Sequence, residues 1–182
     1  MFSLRPATPH DLPALQALIP LSVRGLSHGY YTDAQVESAI RHVFGPDTQL
    51  IADETYFVAE AGAEIVGCGG WSRRRTLYGG DQSKAGEDEI LDPGSDPARI
   101  RAFFVHPDWA RQGIGSRLLH TCSQAAREAG FHRLELMATL PGEALYEALG
   151  FAAKERVETV LPDGIVIAFV RMERAIAGWK NL

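Results

Sequence analysis

The stretch IRAFFVHPDWARQGIGSRLL, residues 100–119, constrains the fold more than any other part of this sequence. Its first residues are apolar and predict a strand, which Pro107 and Asp108 interrupt because proline cannot donate to a strand ladder and aspartate favours turns. The glycine loop 111–116 follows, and apolar residues then recur at helical spacing up to Gly130. A strand, a glycine loop and a helix in this order leave backbone N–H groups free at a helix N-terminus. These free N–H groups predict an anion-binding site, for which phosphate is the usual ligand.

Composition limits the class of protein. A chain of 182 residues with 46% hydrophobic and 23% charged residues suits one globular domain. The net charge of -5 argues against a general nucleic-acid binder. The N-terminus has no long apolar run, so we expect no signal peptide, no membrane association and a cytoplasmic location. Cys68 and Cys122 have no metal-ligand spacing, so we expect two buried free thiols and no metal site.

The first half of the chain predicts helices followed by a strand pair. We expect a strand at 2–5, then a helix that Thr8 caps and Pro20 ends, and a loop at 23–31. A second helix begins with a capping box at Thr32 and Gln35 and ends at residues 45–47. Two strands follow, at 56–59 and 64–71. The second of these strands contains Gly67, Gly69 and Gly70. Glycines inside a strand predict a bulge or the close approach of a neighbour.

The second half completes an α/β (α+β) pattern. We expect the strand and helix of 100–129, a strand at 132–138, a short helix that Gly150 ends, and a hairpin of strands at 151–160 and 165–172. The order βααβββαβαββ predicts a mixed, mostly antiparallel central sheet flanked by helices, with one parallel βαβ crossover at about 100–138. We expect a single domain over residues 1–182, in which the acidic segment 82–98 is a mobile loop.

Two well-known phosphate motifs fit the glycine loop poorly. A P-loop requires a lysine after its glycines, and none follows here. A dinucleotide fingerprint would use Gly113 and Gly115, with Glu135 as the ribose ligand, but Leu118 occupies the place of its third glycine. The chain also ends in a hairpin that is too short for a second mononucleotide-binding half. The dinucleotide interpretation remains the weaker one.

A third interpretation rests on a resemblance that covers most of the chain. Residues 105–119 resemble the acyl-CoA-binding motif of the GNAT acetyltransferase superfamily. Downstream, the segment LYEALGF at 145–151 is similar to that superfamily's Tyr-x-x-x-Gly-Phe helix end, and LRPAT at 4–8 is similar to a common family opening. The departure from the family motif is Ala110, which stands where Gln or Arg is usual. The backbone donors of the anion site do not depend on that side chain.

The resemblance implies an acetyl-CoA site. The pyrophosphate would be wrapped by the glycine loop, namely Arg111, Gln112, Gly113, Ile114, Gly115 and Ser116. The pantetheine arm would lie along Phe103, Phe104 and Val105, whose backbone would pair with its amides as an added strand does. Because alternate strand residues point to opposite faces, we expect at least one of the two phenylalanine side chains to belong to the core.

The resemblance also implies the reaction. The chain would be an acetyl-CoA-dependent N-acetyltransferase in which a primary amine of a small molecule or peptide attacks directly and Tyr146 protonates the CoA thiolate. A homodimer would be compatible with it. The alternative is a non-catalytic acyl-CoA-binding or regulatory module on the same fold, because a fold does not determine a function.

The acceptor side is less well defined by the sequence. A lysine-like amine has a pKa of about 10.4, so a general base is expected, and Glu135, Asp81 and Glu143 are the candidates. We expect the acceptor site among the less regular parts of the chain, which include Tyr30, Tyr31, Trp71, Arg73, Arg74, Arg75, Tyr78 and the loop 82–98. None of these residues identifies the amine.

Overall fold

The computed structural model describes residues 1–84, 86 and 88–176. Its helices are α1 Leu12–Leu26, α2 Asp33–His42, α3 Thr48–Ala52, α4 Ile114–Glu128 and α5 Glu143–Ala148. Its strands are β1 Ser3–Pro6, β2 Tyr56–Ala61, β3 Glu64–Ser72, β4 Ala98–Val105, β5 Arg133–Thr139, β6 Ala152–Val160 and β7 Val166–Ala175. The predicted order is confirmed except for α3. Within the described residues, no helix is long and apolar enough to cross a membrane.

All strands form one seven-stranded sheet in the order β1-β2-β3-β4-β5-β7-β6. Neighbouring strands are antiparallel except β4 and β5, which are parallel and are connected through α4. A parallel pair requires a crossover connection, and α4 provides it. The predicted α/β class, with a mostly antiparallel sheet and one crossover, is therefore confirmed.

The core lies on both faces of this sheet. On one face, Leu15 and Ile19 of α1 pack in a cluster with Phe169 of β7. On the other face, Leu119 of α4 packs in a cluster with Val170, the next residue of β7. Cys68 and Cys122 belong to opposite clusters, and both are buried free thiols as predicted.

Helix α1 does not end at Pro20, which corrects the predicted boundary and shortens the predicted loop. The helix continues to Leu26 with Pro20 inside it. Proline removes one helical hydrogen bond, at a cost of about 3 kcal/mol. Ser22 and Val23 continue the buried face begun by Leu15 and Ile19, so their burial offsets this cost. The apolar spacing across Pro20 carried the signal that the sequence interpretation missed.

Helix α2 begins as predicted, whereas the short helix α3 was not expected. The Thr32 side chain accepts a hydrogen bond from the Gln35 backbone N–H, and the reciprocal bond completes the capping box. Asp47 caps α3 by accepting from the Leu50 N–H. A helix of five residues is too short to show an apolar period, and Asp47 was interpreted as part of a turn.

The segment after β3 contains little regular structure, as expected for the predicted loop. It includes a 3₁₀ turn at Asp81–Ser83 and an isolated bridge between Arg74 and Ile90. Residues 85 and 87 of this segment lie outside the described residues. The loop's mobility stays a prediction.

The entry to α1 yields a test of the fold's pH dependence. Asp11 accepts two hydrogen bonds from Arg5, at 2.8 and 2.7 Å, and a third from the Thr8 N–H. The Arg5 guanidinium is the main reason that the pKa of Asp11 is lowered to about 2. A carboxylate with a depressed folded-state pKa stabilises the protein above its unfolded pKa of about 3.9. That contribution is lost as the pH falls through 2.

We expect Asp11→Asn to lower the free energy of unfolding by roughly 1–3 kcal/mol at pH 7. The difference from the wild type should shrink between about pH 4 and pH 2, because the wild-type carboxylate is then protonated as well. Urea unfolding at several pH values measures it. Asp33→Asn is the control, because Asp33 also lies in the first turn of a helix but forms no ion pair among the described residues. A loss that does not vary with pH would contradict the assignment.

Candidate active site

The two central strands pair over only part of their length. In the described chain, β4 and β5 are paired at Ala98 with Leu134 and at Arg99 with Glu135, near the start of each strand. Both strands continue, β4 to Val105 and β5 to Thr139, without pairing to each other. This unpaired stretch leaves backbone groups in the middle of the sheet that an extended ligand can reach.

A bulge in β4 accompanies the loss of pairing. Ala102 has a φ of 55°, and the register with β3 shifts opposite it. Such a left-handed residue costs about 1–3 kcal/mol unless its surroundings hold it. The Tyr56 hydroxyl donates to the Ala102 carbonyl at 3.1 Å and supports the bulge. Tyr56 is fully buried, which makes this a fixed support.

Glycines of β3 provide the room that this region needs. A Cβ at Gly69 would lie 2.6 Å from the Phe103 ring, and one at Gly70 would lie 2.7 Å from the Thr55 carbonyl oxygen. The prediction of a bulge or close approach at these glycines is confirmed.

The three β4 residues assigned to the pantetheine arm have different environments. Phe103 packs edge-on against Tyr146, whereas Phe104 packs against Phe44 in the other core cluster, so the two rings lie on opposite faces as predicted. Val105 donates its N–H to the Ser22 hydroxyl of α1 at 3.1 Å. One backbone donor of the stretch therefore already has a protein partner.

The loop after β4 turns the chain so that the first turn of α4 is free of side-chain caps. Arg111 and Gly113 have φ values of 64° and 85°, and Gly113 occupies the N-cap position. The first bond inside the helix runs from the Arg117 N–H to the Gly113 carbonyl. The N–H groups before Arg117 have no helical acceptor and point out of the helix end. This is the arrangement predicted for an anion site.

Two contacts fix the position of this helix end. Ile114 is buried, and its side chain covers Gly67 of β3, where an added Cβ would lie 2.6 Å from Ile114 Cγ2. Gly115 faces Leu145 of α5, and an added Cβ would lie 2.9 Å from Leu145 Cδ2. Gln112 Nε2 donates to the Asp108 carbonyl and closes the loop. Ile114 is thus an anchor for the loop, while Arg111 and Gln112 are exposed.

Tyr146 lies in α5 and is buried between two phenylalanine rings. Its ring centroid is 6.3 Å from that of Phe103 and 5.7 Å from that of Phe151, both in edge-on geometry. The helix ends through Gly150, at a φ of 86°, and the Phe151 N–H donates back to the Tyr146 carbonyl. Burial raises the pKa of Tyr146 well above its ordinary value. Its phenol is therefore protonated at neutral pH.

A cavity of about 320 Å³ opens beside the end of β5. Its lining includes Tyr30, Tyr31, Gln35, Leu140, Arg156 and Glu158. Tyr31 stands where the β5–β7 ladder ends, because its hydroxyl accepts from the Leu140 N–H at 2.9 Å and donates to the Ala168 carbonyl at 2.6 Å. Leu140 packs against the core clusters on both faces of the sheet. One cluster contains Tyr31 and the other contains Tyr146.

Two of the three candidate bases have structural partners. Glu135 is buried and forms ion pairs with Arg99 and with Arg171, the latter at 2.8 Å. Asp81 accepts from the Thr48 N–H at the start of α3. Glu143 lies in the first turn of α5 and forms no ion pair within the described residues.

Most of the other residues expected on the acceptor side are used elsewhere. Trp71 is buried in the core against Phe131. Arg74 forms a bidentate pair with Asp53, and Arg75 pairs with Glu89. Another cavity, of about 360 Å³, is lined by Gln49, Arg74, Lys84, Gly86 and Asp88. Its two cations are already paired, Arg74 with Asp53 and Lys84 with Asp47. Of the described residues in the predicted set, Tyr30 and Tyr31 are those that line the cavity beside β5.

The sequence interpretation missed two kinds of residue at this site. Arg156 and Glu158 of β6 reach the cavity, and their alternation along a strand was a usable signal. Ser22 and Tyr56 support β4 from distant elements, and no local pattern indicated that they would. Among the described residues, no group of three or more His, Cys, Asp or Glu side chains is placed to hold a metal ion.

Comparison with known proteins assigns the family. Residues 23–151 match the model of the acetyltransferase (GNAT) family, and the chain belongs to that family. No curated protein matches the sequence. The match includes the glycine loop and ends at Phe151, after the helix that carries Tyr146.

Solved structures share the fold over nearly the whole chain. A GCN5-related N-acetyltransferase from Rhodopseudomonas palustris has a TM-score of 0.68 at 20% identity, covering 95% of this chain and 94% of that one. The PaiA N-acetyltransferase of Thermoplasma acidophilum, in complex with coenzyme A, has a TM-score of 0.64 at 16% identity, with 96% and 99% covered. The ribosomal-protein-S18-alanine N-acetyltransferase of Escherichia coli has a TM-score of 0.58 at 18% identity, with 100% and 99% covered.

The role of Tyr31 at the ladder end can be tested by stability. Tyr31→Phe keeps the ring but removes the hydroxyl, so the Leu140 N–H and the Ala168 carbonyl lose their partner. We expect a loss of about 1–3 kcal/mol in the free energy of unfolding. Tyr30→Phe changes the neighbouring, exposed ring and should stay within about 0.5 kcal/mol of the wild type. Equal stability of the two variants in urea unfolding would show that the hydroxyl does not bridge the strands.

Proposed function

We propose that this chain transfers the acetyl group of acetyl-CoA to a primary amine of a small molecule or peptide. The observation that carries the proposal is the meeting of three features in one place. The unpaired stretch of β4 leads through the loop 106–113 to the free N-terminus of α4, and Phe103 of that stretch contacts Tyr146. A thioester of a long phosphorylated carrier needs an anion site for its phosphates, an open strand edge for its extended arm and a protonated phenol for its leaving thiolate.

The donor would bind along this path. The free N–H groups at Gly113, Ile114, Gly115 and Ser116 hold the pyrophosphate, with Arg111 and Gln112 on the exposed side of the loop. Each favourable charge at a helix end contributes only about 0.3–2 kcal/mol, so several donors act together. The pantetheine arm follows Phe103, Phe104 and Val105. The coenzyme A bound by the Thermoplasma PaiA structure, on a similar fold, supports this assignment.

In the reaction, the amine nitrogen attacks the acetyl carbonyl carbon, forms the C–N bond and displaces the CoA sulfur. Tyr146 donates its phenolic proton to the departing thiolate, and the attacking nitrogen gives up one proton. The nitrogen's proton passes to the general base and is returned to the Tyr146 phenolate, so the enzyme is regenerated and the products are the N-acetylated amine and the CoA thiol. Burial suits Tyr146 to this role because it keeps the phenol protonated until the thiolate forms.

The acceptor must lose a proton before it can attack. An amine with a pKa of about 10.4 is neutral in only about one molecule in 2,500 at pH 7. Of the three candidate bases, Glu143 is the one whose carboxylate is free of ion pairs in the described part of the chain. It lies three residues before Tyr146, on the same side of α5.

The remaining parts of the proposal concern the whole chain. We regard residues 1–182 as a single N-acetyltransferase domain whose loop 82–98 is mobile. The net charge of -5 supports an enzyme that binds neither nucleic acid nor an anionic membrane surface. We further propose a cytoplasmic, metal-free enzyme whose co-substrate is acetyl-CoA.

A non-catalytic acyl-CoA-binding module is the alternative. Turnover separates the two functions. Acetyl-CoA consumption is measured against amines, amino acids, polyamines, aminoglycosides and peptide N-termini. Binding of acetyl-CoA without consumption for every class would favour the module.

We expect Tyr146→Phe to lower kcat by about 10²–10⁴-fold and to leave the Kd of acetyl-CoA nearly unchanged. In the wild type, kcat/KM should rise with pH as the amine loses its proton. It should not fall again below about pH 10, because the raised pKa keeps Tyr146 protonated. Tyr78→Phe, which alters a hydroxyl bound to Thr159, is the control. Full turnover by Tyr146→Phe would remove the assigned role.

We also expect Gly113→Asp and Gly115→Asp to abolish acetyl-CoA binding in calorimetry. The new carboxylate would face the pyrophosphate and repel it, and at position 115 it would displace Leu145 as well. Gly62→Asp is a matched control for position 113, since Gly62 also has a positive φ and open space around it. If the Gly113 variant kept wild-type affinity, the phosphate site would have to lie elsewhere.

A further inference from the structure

Three strands place Arg156 on the face of the sheet that carries Tyr146. Arg156 of β6 lies opposite Val170 of β7, and Val170 lies opposite Ala138 of β5. Directly opposite residues in neighbouring strands project to the same face. Val170 and Ala138 are buried in the cluster that contains Tyr146. The Arg156 side chain therefore starts on the Tyr146 face, at the outer end of this row.

The next row places a carboxylate beside the guanidinium. Glu158 lies opposite Ala168 of β7, two residues along β6 from Arg156 and on the same face. Residues two apart on a strand are separated by about 6.6 Å. Tyr31 packs in the cluster of the opposite face, and its hydroxyl reaches this row by binding the Ala168 carbonyl. Both charged residues line the cavity beside the end of β5.

Neither charge is neutralised by another side chain. Arg156 and Glu158 form no ion pair among the described residues, not even with each other. Arg171, on the following strand, contacts Glu135 and Glu173, both at 2.8 Å. Arg171 is thus part of a paired network, while Arg156 and Glu158 present one cation and one anion at the solvent-exposed wall of the cavity.

The positive charge reaches the inner wall of the cavity. Burial raises the pKa of Tyr31 to about 12, and the charge of Arg156 lowers it in part. The Arg156 charge therefore lies near the Tyr31 hydroxyl, and both residues line the same cavity. Leu140, which donates to that hydroxyl, packs against the cluster containing Tyr146.

We propose that the acceptor amine carries a carboxylate on the neighbouring carbon, as in a free α-amino acid, and that Arg156 is the residue that selects it. This inference rests on the acetyl-transfer function proposed above. The planar guanidinium can bind the carboxylate in bidentate fashion, and Glu158 attracts the protonated amine before the amine loses its proton to the general base. An amine without a carboxylate would lack this bidentate contact with Arg156 and would bind less well.

The experiment compares amino acids with their decarboxylated amines under saturating acetyl-CoA. For the wild type, we expect kcat/KM for the accepted amino acid to exceed that for its decarboxylated amine at least tenfold. Arg156→Gln should lower kcat/KM for the amino acid by about 10–100-fold, mainly through KM. It should leave the decarboxylated amine and the Kd of acetyl-CoA unchanged. Arg156→Lys should restore part of the loss, because it keeps the charge without the bidentate geometry.

Lys154→Gln, which removes an exposed cation of the same strand, is the matched control and should match the wild type. Equal kcat/KM for the amino acid and its decarboxylated amine, or an Arg156→Gln variant with wild-type kinetics, overturns the inference. Acetylation of other amines but of no free amino acid also overturns it, while the acetyl-transfer function stands. If acetyl-CoA binds but none of the amines causes it to be consumed, both this inference and the acetyl-transfer function are overturned.

Discussion

The incomplete pairing of β4 with β5 is the constraint on which the candidate site depends. A fully paired parallel ladder would satisfy its own backbone groups and close the middle of the sheet. Pairing is found at Ala98 and Arg99, before the bulge at Ala102. The left-handed conformation of an alanine is unfavourable, and the buried Tyr56 hydroxyl offsets part of that cost by binding its carbonyl. The bulge and the unpaired strand are therefore a supported feature of the native fold.

Buried polar groups hold both sides of this opening. On the β4 side, Arg101 forms an ion pair with Asp47 at 2.9 Å, and both side chains are almost completely buried. A buried ion pair is tolerable only when its other hydrogen-bonding atoms are largely satisfied, and Arg101 also donates to the carbonyls of Thr76 and Gly79. On the β5 side, Tyr31 ends the ladder with β7. Both groups join parts of the chain that are distant in sequence.

Local patterns were sufficient to predict most of the fold and the strand, loop and helix on which the proposed donor site is built. The strand, loop and helix of 98–128 are contiguous, and the conformation of Gly113 is a property of a single residue. The boundary of α1 was wrong because a local rule about Pro20 was applied where tertiary burial of Val23 prevails. Glu135 remained a candidate base only until the register placed it beside Arg99 and Arg171. Cross-strand register and buried ion pairs are long-range, so no short window of sequence reveals them.

The two halves of the site consequently differ in what determines them. The proposed donor binding relies on backbone N–H groups, which any sequence with the same local conformation can present, and Ala110 is compatible with it for that reason. The proposed acceptor selection relies on side chains of β6 whose direction is set by alternation and whose neighbours are set by pairing with β7. Substitutions on β6 would therefore change the acceptor without disturbing the phosphate loop or the position of Tyr146. In that case one fold would keep a single donor while two residues of an edge strand choose the acceptor.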